Sequence, residues 1–355
     1  RTCLVGSEMC IRDRYQVLLL EAGPSDRRFW VQVPIGYGIL FHQKSVNWMY
    51  SSDPVPGLDG RVIYHPRGKV LGGSGSINAL VYHRGQAGDY DDWAAAGNDG
   101  WSYADVAPHF EQLETPPQDD PGAPHLSVTD NSADFHPMGS DFLEICRQGQ
   151  LPVCDAPARE GTGITPYLTT TRDGQRCSSA KAFLRPAMRR RNLTVVTGAH
   201  VSRIGFEGTR ARSVSYSRNG QDFKVRAGAE IILAAGAVGS PQILQLSGVG
   251  DARYLQSIGI RSVHNAPHVG RHLQDHYGIN YIFKSKQKTL NDVFGNWPGR
   301  IMAGMEYVLR RSGPLSLSVN QLGGLVKSSA SLDRPDTQIY ICLLYTSDAA
   351  DDSLR

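Results

Sequence analysis

The residues from Pro66 to Asn78, Pro-Arg-Gly-Lys-Val-Leu-Gly-Gly-Ser-Gly-Ser-Ile-Asn, are of the type and spacing that hold an anion. The apolar pair Val70 and Leu71 runs straight into Gly72, Gly73 and Gly75, with Ser74 and Ser76 interleaved. Glycine has no Cβ, so the chain here can turn tightly and approach another molecule closely. The peptide N–H groups of such a turn can point at a negative charge, and a helix starting behind it adds its positive end. A pyrophosphate is held in that way. A flexible surface turn has the same composition, so the motif needs company to mean more.

Company is found at Gly236 to Gly250, Gly-Ala-Val-Gly-Ser-Pro-Gln-Ile-Leu-Gln-Leu-Ser-Gly-Val-Gly. The apolar run Glu230-Ile-Ile-Leu-Ala-Ala235 before it reads as a buried parallel strand. Ser240 suits an N-cap and Pro241 a first helical turn, while Gly248 and Gly250 suit the helix end. Ile243, Leu244 and Leu246 supply the apolar face. Strand, glycine turn and helix N-terminus make a corner that faces a nucleotide, although any strand-to-helix joint shares the pattern. A third piece, Val17-Leu-Leu-Leu20 ending in Glu21-Ala-Gly23, places a carboxylate at a strand end, where it can accept hydrogen bonds from a ribose.

In this order and spacing the three pieces resemble the glucose–methanol–choline family of flavoprotein oxidoreductases. Arg67 to Asn78, continued by Val81-Tyr-His-Arg-Gly85 and Asp89-Tyr-Asp-Asp-Trp93, is similar to that family's first signature, and Gly236 to Gly250 to its second. Trp101 to Glu114, Asn192 to Val201 and Val269 to His276 also resemble family segments, so the likeness runs from about Tyr15 to Ile341. The resemblance implies a mixed α/β fold: a Rossmann-like FAD-binding domain with a β-meander, and part of a substrate-binding domain. It implies oxidation of an alcohol, with hydride passing from the alcohol carbon to flavin N5. A lyase acting on hydroxynitriles, or a flavin-binding protein without turnover, shares the scaffold.

Residue roles follow from the same resemblance. Glu21 would bind the adenosine ribose, Val70, Gly72, Gly73 and Ser74 would line the pyrophosphate and flavin side, and Asn78, Ala79, Leu80 and Val81 would pass close to the ring. Val201 would hold the adenine through its backbone. Ile77 stands where some members carry a histidine that bonds FAD covalently, so non-covalent FAD is expected. Gly75 stands where Ser is usual, and His272 where Asn is usual. His65, His83, His272 and His276 read as hydrogen-bonded structural residues rather than bases. The family's catalytic histidine is expected beyond Ile341, so no catalytic residue is assigned within the chain, and the chain by itself is expected not to oxidise alcohols.

The two ends read differently. Residues 1–14 and 342–355 have no counterpart in the family and resemble translated sequencing-adaptor DNA. The expected organisation is therefore an end segment 1–14, an FAD-binding domain 15–276 lacking its first strand and G-x-G-x-x-G turn, the start of a substrate domain 277–341, and an end segment 342–355.

Composition supports a packed protein, with 40% hydrophobic and 20% charged residues. A net charge of +3 over 355 residues gives no reason to expect nucleic acid. The one basic cluster, Lys181 to Arg191, reads as the solvated face of a helix whose apolar side is Phe183, Leu184 and Met188. Of six cysteines, Cys146, Cys154 and Cys177 lie outside the two ends, an odd count that argues against a disulfide framework or a metal site. No run approaches the ~20 apolar residues of a membrane span. The expected partners are a small alcohol and an electron acceptor of unknown kind, in the cytoplasm or at a membrane surface.

The elements that must position these residues can be placed coarsely. Gln16 to Glu21 is a strand, and Gly23 to Gly60 is an excursion whose rings Phe29, Trp30, Tyr37, Phe41, Trp48 and Tyr50 pack it onto the domain. A helical segment is expected from Ile77, an amphipathic helix over Tyr103 to Leu113 and a surface loop over Thr115 to Pro124. Short strands at Val195-Val196, Val201 to Ile204, Ser213 to Tyr216 and Phe223 to Val225 form a meander, with Asn219-Gly220 as its hairpin turn. Tyr277 to Phe283 and Leu322 to Val326 are expected strands, separated by a helix over Ile301 to Arg310.

Overall fold

The computed structural model describes residues 15–157, 159 and 161–344; residues 1–14 and 345–355 of the two end segments lie outside the described residues. The fold is mixed α/β and divides into two compact units that share the chain in alternating pieces. One unit takes the chain up to Asp26, Phe41–Ser76 and Phe183–Ile279; the other takes Arg27–Leu40, Ile77–Ala182 and the chain from Asn280 on. The expected boundary after His276 lies close to the last of these crossings. The earlier crossings interleave the two units in a way no contiguous boundary describes.

In the first unit, strand Val17–Glu21 runs parallel to Leu193–Thr197, with Val17 opposite Leu193 and Glu21 opposite Thr197. Their apolar side chains Val17, Leu19 and Val195 pack on buried Ala187 and Leu193. The meander forms as the alternation demands, from strands His200–Glu207, Arg210–Arg218 and Gln221–Arg226. Asn219 and Gly220 join the last two with φ of 51° and 75°, the left-handed pair that matches strand twist in a two-residue hairpin.

Three expectations in this unit are overturned. Residues 230–235 make no strand, and Ile232 is exposed: among the described residues no strand lies beside them, so an apolar run has no ladder to join. The helix after them spans Gly236–Leu246, starting ahead of Ser240, and Pro241 lies inside it. Gly236, at φ 80°, turns the chain by itself, so Ser240 has no cap to provide. The basic stretch from Lys181 is helical only to Ala187, where the wide helical turn Ala180–Leu184 runs straight into Arg185–Ala187, and Met188, expected on the apolar side, is exposed. Pro186 has no N–H to continue a regular ladder.

In the second unit, strand Asn320–Val326 pairs antiparallel with Thr337–Cys342 on one side and Gly163–Pro166 on the other. Helix Met138–Gln148 lays Leu143 and Cys146 on this sheet against Ile164, Leu322 and Val326. Cys342 ends the strand opposite Asn320 and Leu343 is buried, so the expected break before Cys342 falls inside packed structure. Helix Tyr103–Glu114 starts at a capping box in which Ser102 and Asp105 satisfy each other's backbone. Its C-terminal Glu114 is buried against Arg84 (2.8 Å) and Arg159 (2.7 Å). Helix Trp297–Arg310 is longer than expected because Asn296 caps it four residues earlier, accepting from the Gly299 N–H at 2.8 Å.

Two further expectations fail. Residues 277–283 are extended without pairing, and Tyr277 and Phe283 are 86% exposed. No helix begins at Ile77: the single turn lies before it, over Gly73–Ser76, and the chain then runs irregularly to a short strand Val81–Tyr82 paired with Leu168–Thr169. Among the described residues, all cysteines are free thiols, no side-chain cluster could hold a metal ion, and no helix is long and apolar enough to cross a membrane.

Candidate functional site

In the first unit the strand from Val17 delivers Glu21 to its C-terminal end. The Gly23 N–H donates to Glu21 Oε1 at 2.7 Å, curling the chain over the carboxylate. A Cβ on Gly23 would fall inside the Lys69 carbonyl, so only glycine lets the strand end cross the glycine-rich loop this closely. The Leu71 N–H donates to the Pro24 carbonyl at 3.1 Å and fixes the crossing. Burial pushes the Glu21 carboxyl up to about 7, against the lowering effect of the Gly23 N–H and the Lys69 charge. Glu21 is thus a carboxyl that changes charge near neutral pH.

The loop itself is held from within. Val70 is fully buried and accepts from the Gly73 N–H at 2.8 Å. Gly72 and Gly73 take φ of 88° and 57°, conformations that exclude most side chains. Ser74 Oγ accepts from the Gly68 N–H at 3.0 Å, and buried Ser76 donates to the Leu71 carbonyl at 2.7 Å. Around Gly73 and Gly75 an added Cβ would meet nothing, so the loop is packed on its Val70 side and open on the other. An open, glycine-lined turn beside a strand-end carboxyl leaves the clearance that a dinucleotide requires.

Val201 reaches the same unit as the second residue of its strand, opposite Tyr216. The preceding turn ties it to Glu21, because the Ala199 N–H donates to the Glu21 carbonyl at 2.9 Å. Trp48 links loop and strand: Lys69 Nζ lies 4.7 Å from its ring centroid and the His200 ring 5.5 Å from it. The pattern did not single out Lys69 and Trp48 as a pair, and only their shared ring contact reveals it.

In the second unit Asn78, Ala79, Leu80 and Val81 form a turn closed by distant partners. Arg176 Nη1 donates to both the carbonyl and Oδ1 of Asn78, each at 2.7 Å. Ser318 Oγ donates to the Ala79 carbonyl at 2.7 Å, and the Thr170 N–H to the Leu80 carbonyl at 2.9 Å. Leu80 is buried and takes φ 71°, while Asn78 is exposed. Arg176 is itself buried, and its other donors meet the carbonyls of Val31 (3.1 Å) and Pro34 (3.4 Å). Desolvation lowers its pKa to about 9, so it remains a cation at neutral pH. Sequence reasoning passed over Arg176. The available signal was Asp173-Gly174, a hairpin turn with φ of 52° and 66° that makes Arg176 face back across Thr171.

Each flagged histidine has a polar neighbour, although His272 and His276 are exposed. His83 Nδ1 accepts from the Gly85 N–H at 2.9 Å, and His272 lies 3.1 Å from His268. His65 and His276 lie 3.6 and 3.5 Å from Asp275, whose carboxyl is held down to about 2, chiefly by its Arg67 hydrogen bond (2.5 Å). His272 takes φ 59°, a left-handed conformation that Asn tolerates best and His also visits, which accounts for the residue expected there. Ile77 is buried and has no nucleophilic atom.

With this geometry in view, a family model described as GMC oxidoreductase matches residues 6–278. The chain belongs to the GMC oxidoreductase family. The match begins inside the end segment 1–14. An alcohol dehydrogenase [acceptor] of Pseudomonas putida is 36% identical over 98% of this chain and 64% of its own length. The mitochondrial choline dehydrogenase of Homo sapiens is 36% identical over 95% of this chain and 59% of its own. The fold matches a solved formate oxidase of Aspergillus oryzae, studied for its FAD modification, with TM-score 0.84 at 23% identity, covering 97% of this chain and 66% of that one. This GMC chain therefore spans less than two thirds of the length of these relatives.

Proposed function

We propose that this chain carries the FAD-binding part of a flavoprotein that oxidises primary alcohols. The observation that carries the reading is Glu21, a strand-end carboxyl curled over by the Gly23 N–H (2.7 Å) and crossed by a glycine loop that is open at Gly73 and Gly75. The residues of the first unit fit the nucleotide half of the cofactor: Glu21 would accept from the ribose hydroxyls, Gly72, Gly73 and Ser74 would line the pyrophosphate side, and the Val201 backbone would read the adenine. Asn78 to Val81 of the second unit would serve the ring. When bound, FAD supplies the two-electron chemistry, taking hydride from the alcohol carbon at N5. Attachment is non-covalent, since Ile77 is aliphatic and buried. The alcohol is of the class the relatives' names indicate.

The test is a titration of the chain with FAD, followed by acid precipitation. Quenched flavin fluorescence and all yellow colour in the supernatant are expected. Unchanged fluorescence at saturating protein overturns the cofactor reading, and colour in the pellet overturns non-covalent attachment. The activity is tested on a protein extended to the relatives' length, which should lose the flavin's visible absorbance on anaerobic addition of choline or short primary alcohols; a spectrum indifferent to every alcohol overturns it.

A further inference from the structure

We infer that Arg176 is a positioning residue for the flavin-ring side of the site, acting as the common anchor that holds the Asn78–Leu80 turn in its left-handed shape. The inference rests on the FAD reading for its functional sense and on the geometry of the second unit for its substance. Three observations converge. First, one guanidinium nitrogen takes both oxygens of Asn78 at 2.7 Å, so the backbone and the side chain of one residue are fixed by the same group. Second, Asn78 Oδ1 also accepts from the Leu80 N–H at 3.2 Å. Arg176 thereby orients the acceptor that closes the turn at Leu80, whose φ of 71° has an intrinsic cost and needs external support. Third, the other donors of the guanidinium grip Val31 and Pro34, so the anchor is itself braced by a separate stretch of chain.

The arrangement is asymmetric in a useful way. Carbonyl oxygens of Asn78, Ala79 and Leu80 are all engaged from the protein side, by Arg176, Ser318 and Thr170. Asn78 nevertheless stays exposed. The turn is gripped at its acceptors, and with Leu80 buried it is Asn78 that the turn leaves exposed. A planar fork with five donors can hold carbonyls in several directions at once, which a lysine ammonium on a flexible stem cannot reproduce. The side chain is 1% exposed, a depth at which a cation is retained only when its donors are used.

The test compares Arg176→Lys, Arg176→Met and Asn78→Ala with the unmodified chain. Amide hydrogen exchange reads the turn without any cofactor. Arg176→Met should raise exchange at residues 79–81 and at Thr170 by about tenfold or more, with Arg176→Lys intermediate, while strand Asn320–Val326 of the same unit keeps its protection. Binding adds a second reading. Affinity for ADP, which needs only Glu21, the glycine loop and Val201, should be unchanged, whereas affinity for FAD should fall about tenfold in Arg176→Met. Asn78→Ala should show a smaller loss of the same kind, because Arg176 keeps its backbone contact. Unchanged exchange at 79–81 overturns the inference. So does exchange that rises equally throughout the unit, which would make Arg176 only a general stabiliser. If the unmodified chain binds neither ADP nor FAD, the cofactor reading fails, and the exchange data still decide the role of Arg176.

Discussion

Residues 66–76 and residues 77–81 are consecutive in sequence and are built on opposite plans. The first stretch is tied from afar at Arg67, Lys69 and Leu71, to Asp275, Val46 and Pro24, but its turn shapes itself. The turn comes from Gly72 and Gly73 at positive φ, and its closing bonds, Gly73 to Val70 and Gly68 to Ser74, span only a few residues. The second stretch is shaped by others: Arg176 holds Asn78 from 98 residues away, and Ser318 holds Ala79 from 239 residues away. One stretch relies on the absence of side chains, the other on the presence of remote ones. A glycine turn reaches positive φ without outside help, so its shape is set locally. A turn meant to keep one strained shape needs bracing, which only tertiary packing supplies.

The sharpest way to break the comparison is at Gly23, where local permissiveness is most needed. Gly23→Ala drives a Cβ into the Lys69 carbonyl, a backbone group that cannot rotate away. A destabilisation of about 3 kcal/mol or more is expected, with loss of ADP binding, measured by urea unfolding and by titration. A change under about 1 kcal/mol would show that the crossing is looser than the contact implies.

Next in size is the pH response of Glu21. Its folded pKa, about 7, lies above its ordinary 4.5, so the folded state binds the extra proton between those values. Its contribution to stability is fully present below about pH 4.5 and is lost as pH rises through about 7. Glu21→Gln keeps an acceptor for the Gly23 N–H without the titration. The variant should gain about 1 to 2 kcal/mol relative to the parent between pH 5 and pH 8, read from parallel unfolding curves. Parallel pH profiles for the two proteins would rule this out.

On the remotely held side, Ser318→Ala removes the hydroxyl from the Ala79 carbonyl without touching the turn's own residues. A cost of about 1 kcal/mol is expected, with exchange rising at Ala79 and Leu80 while residues 66–76 are unaffected. An equal response in both stretches would merge the two plans into one. The smallest effect is expected at Gly75→Ser. Its φ is not positive and an added Cβ meets open space, so stability should change by less than about 0.5 kcal/mol. A larger loss would mean that the loop's open face is not open.

Much of the fold was legible because its signals are local. The strand at Val17, the meander with its Asn219-Gly220 turn, the capped helix from Tyr103 and the strand within Asn320–Val326 each carry their period and punctuation in a short window. Apolar runs misled where pairing decides. Residues 230–235 and 277–283 have strand composition, yet neither pairs among the described residues. Composition makes a strand possible, and a neighbour makes it form.

The sequence by itself determined where the glycines fall, which strand ends in Glu21 and that Ile77 has no group to bond a cofactor. Those are properties of residue type, and φ freedom or a missing nucleophile needs no partner. Tertiary structure alone decided that Arg176 is buried beneath Asn78, that Lys69 and His200 share the ring of Trp48, and that the Glu21 carboxyl titrates near neutrality. Burial and long-range hydrogen bonds depend on which distant segments the folded chain brings together, and a charged residue carries no mark in the sequence of whether it will meet water or carbonyl oxygens.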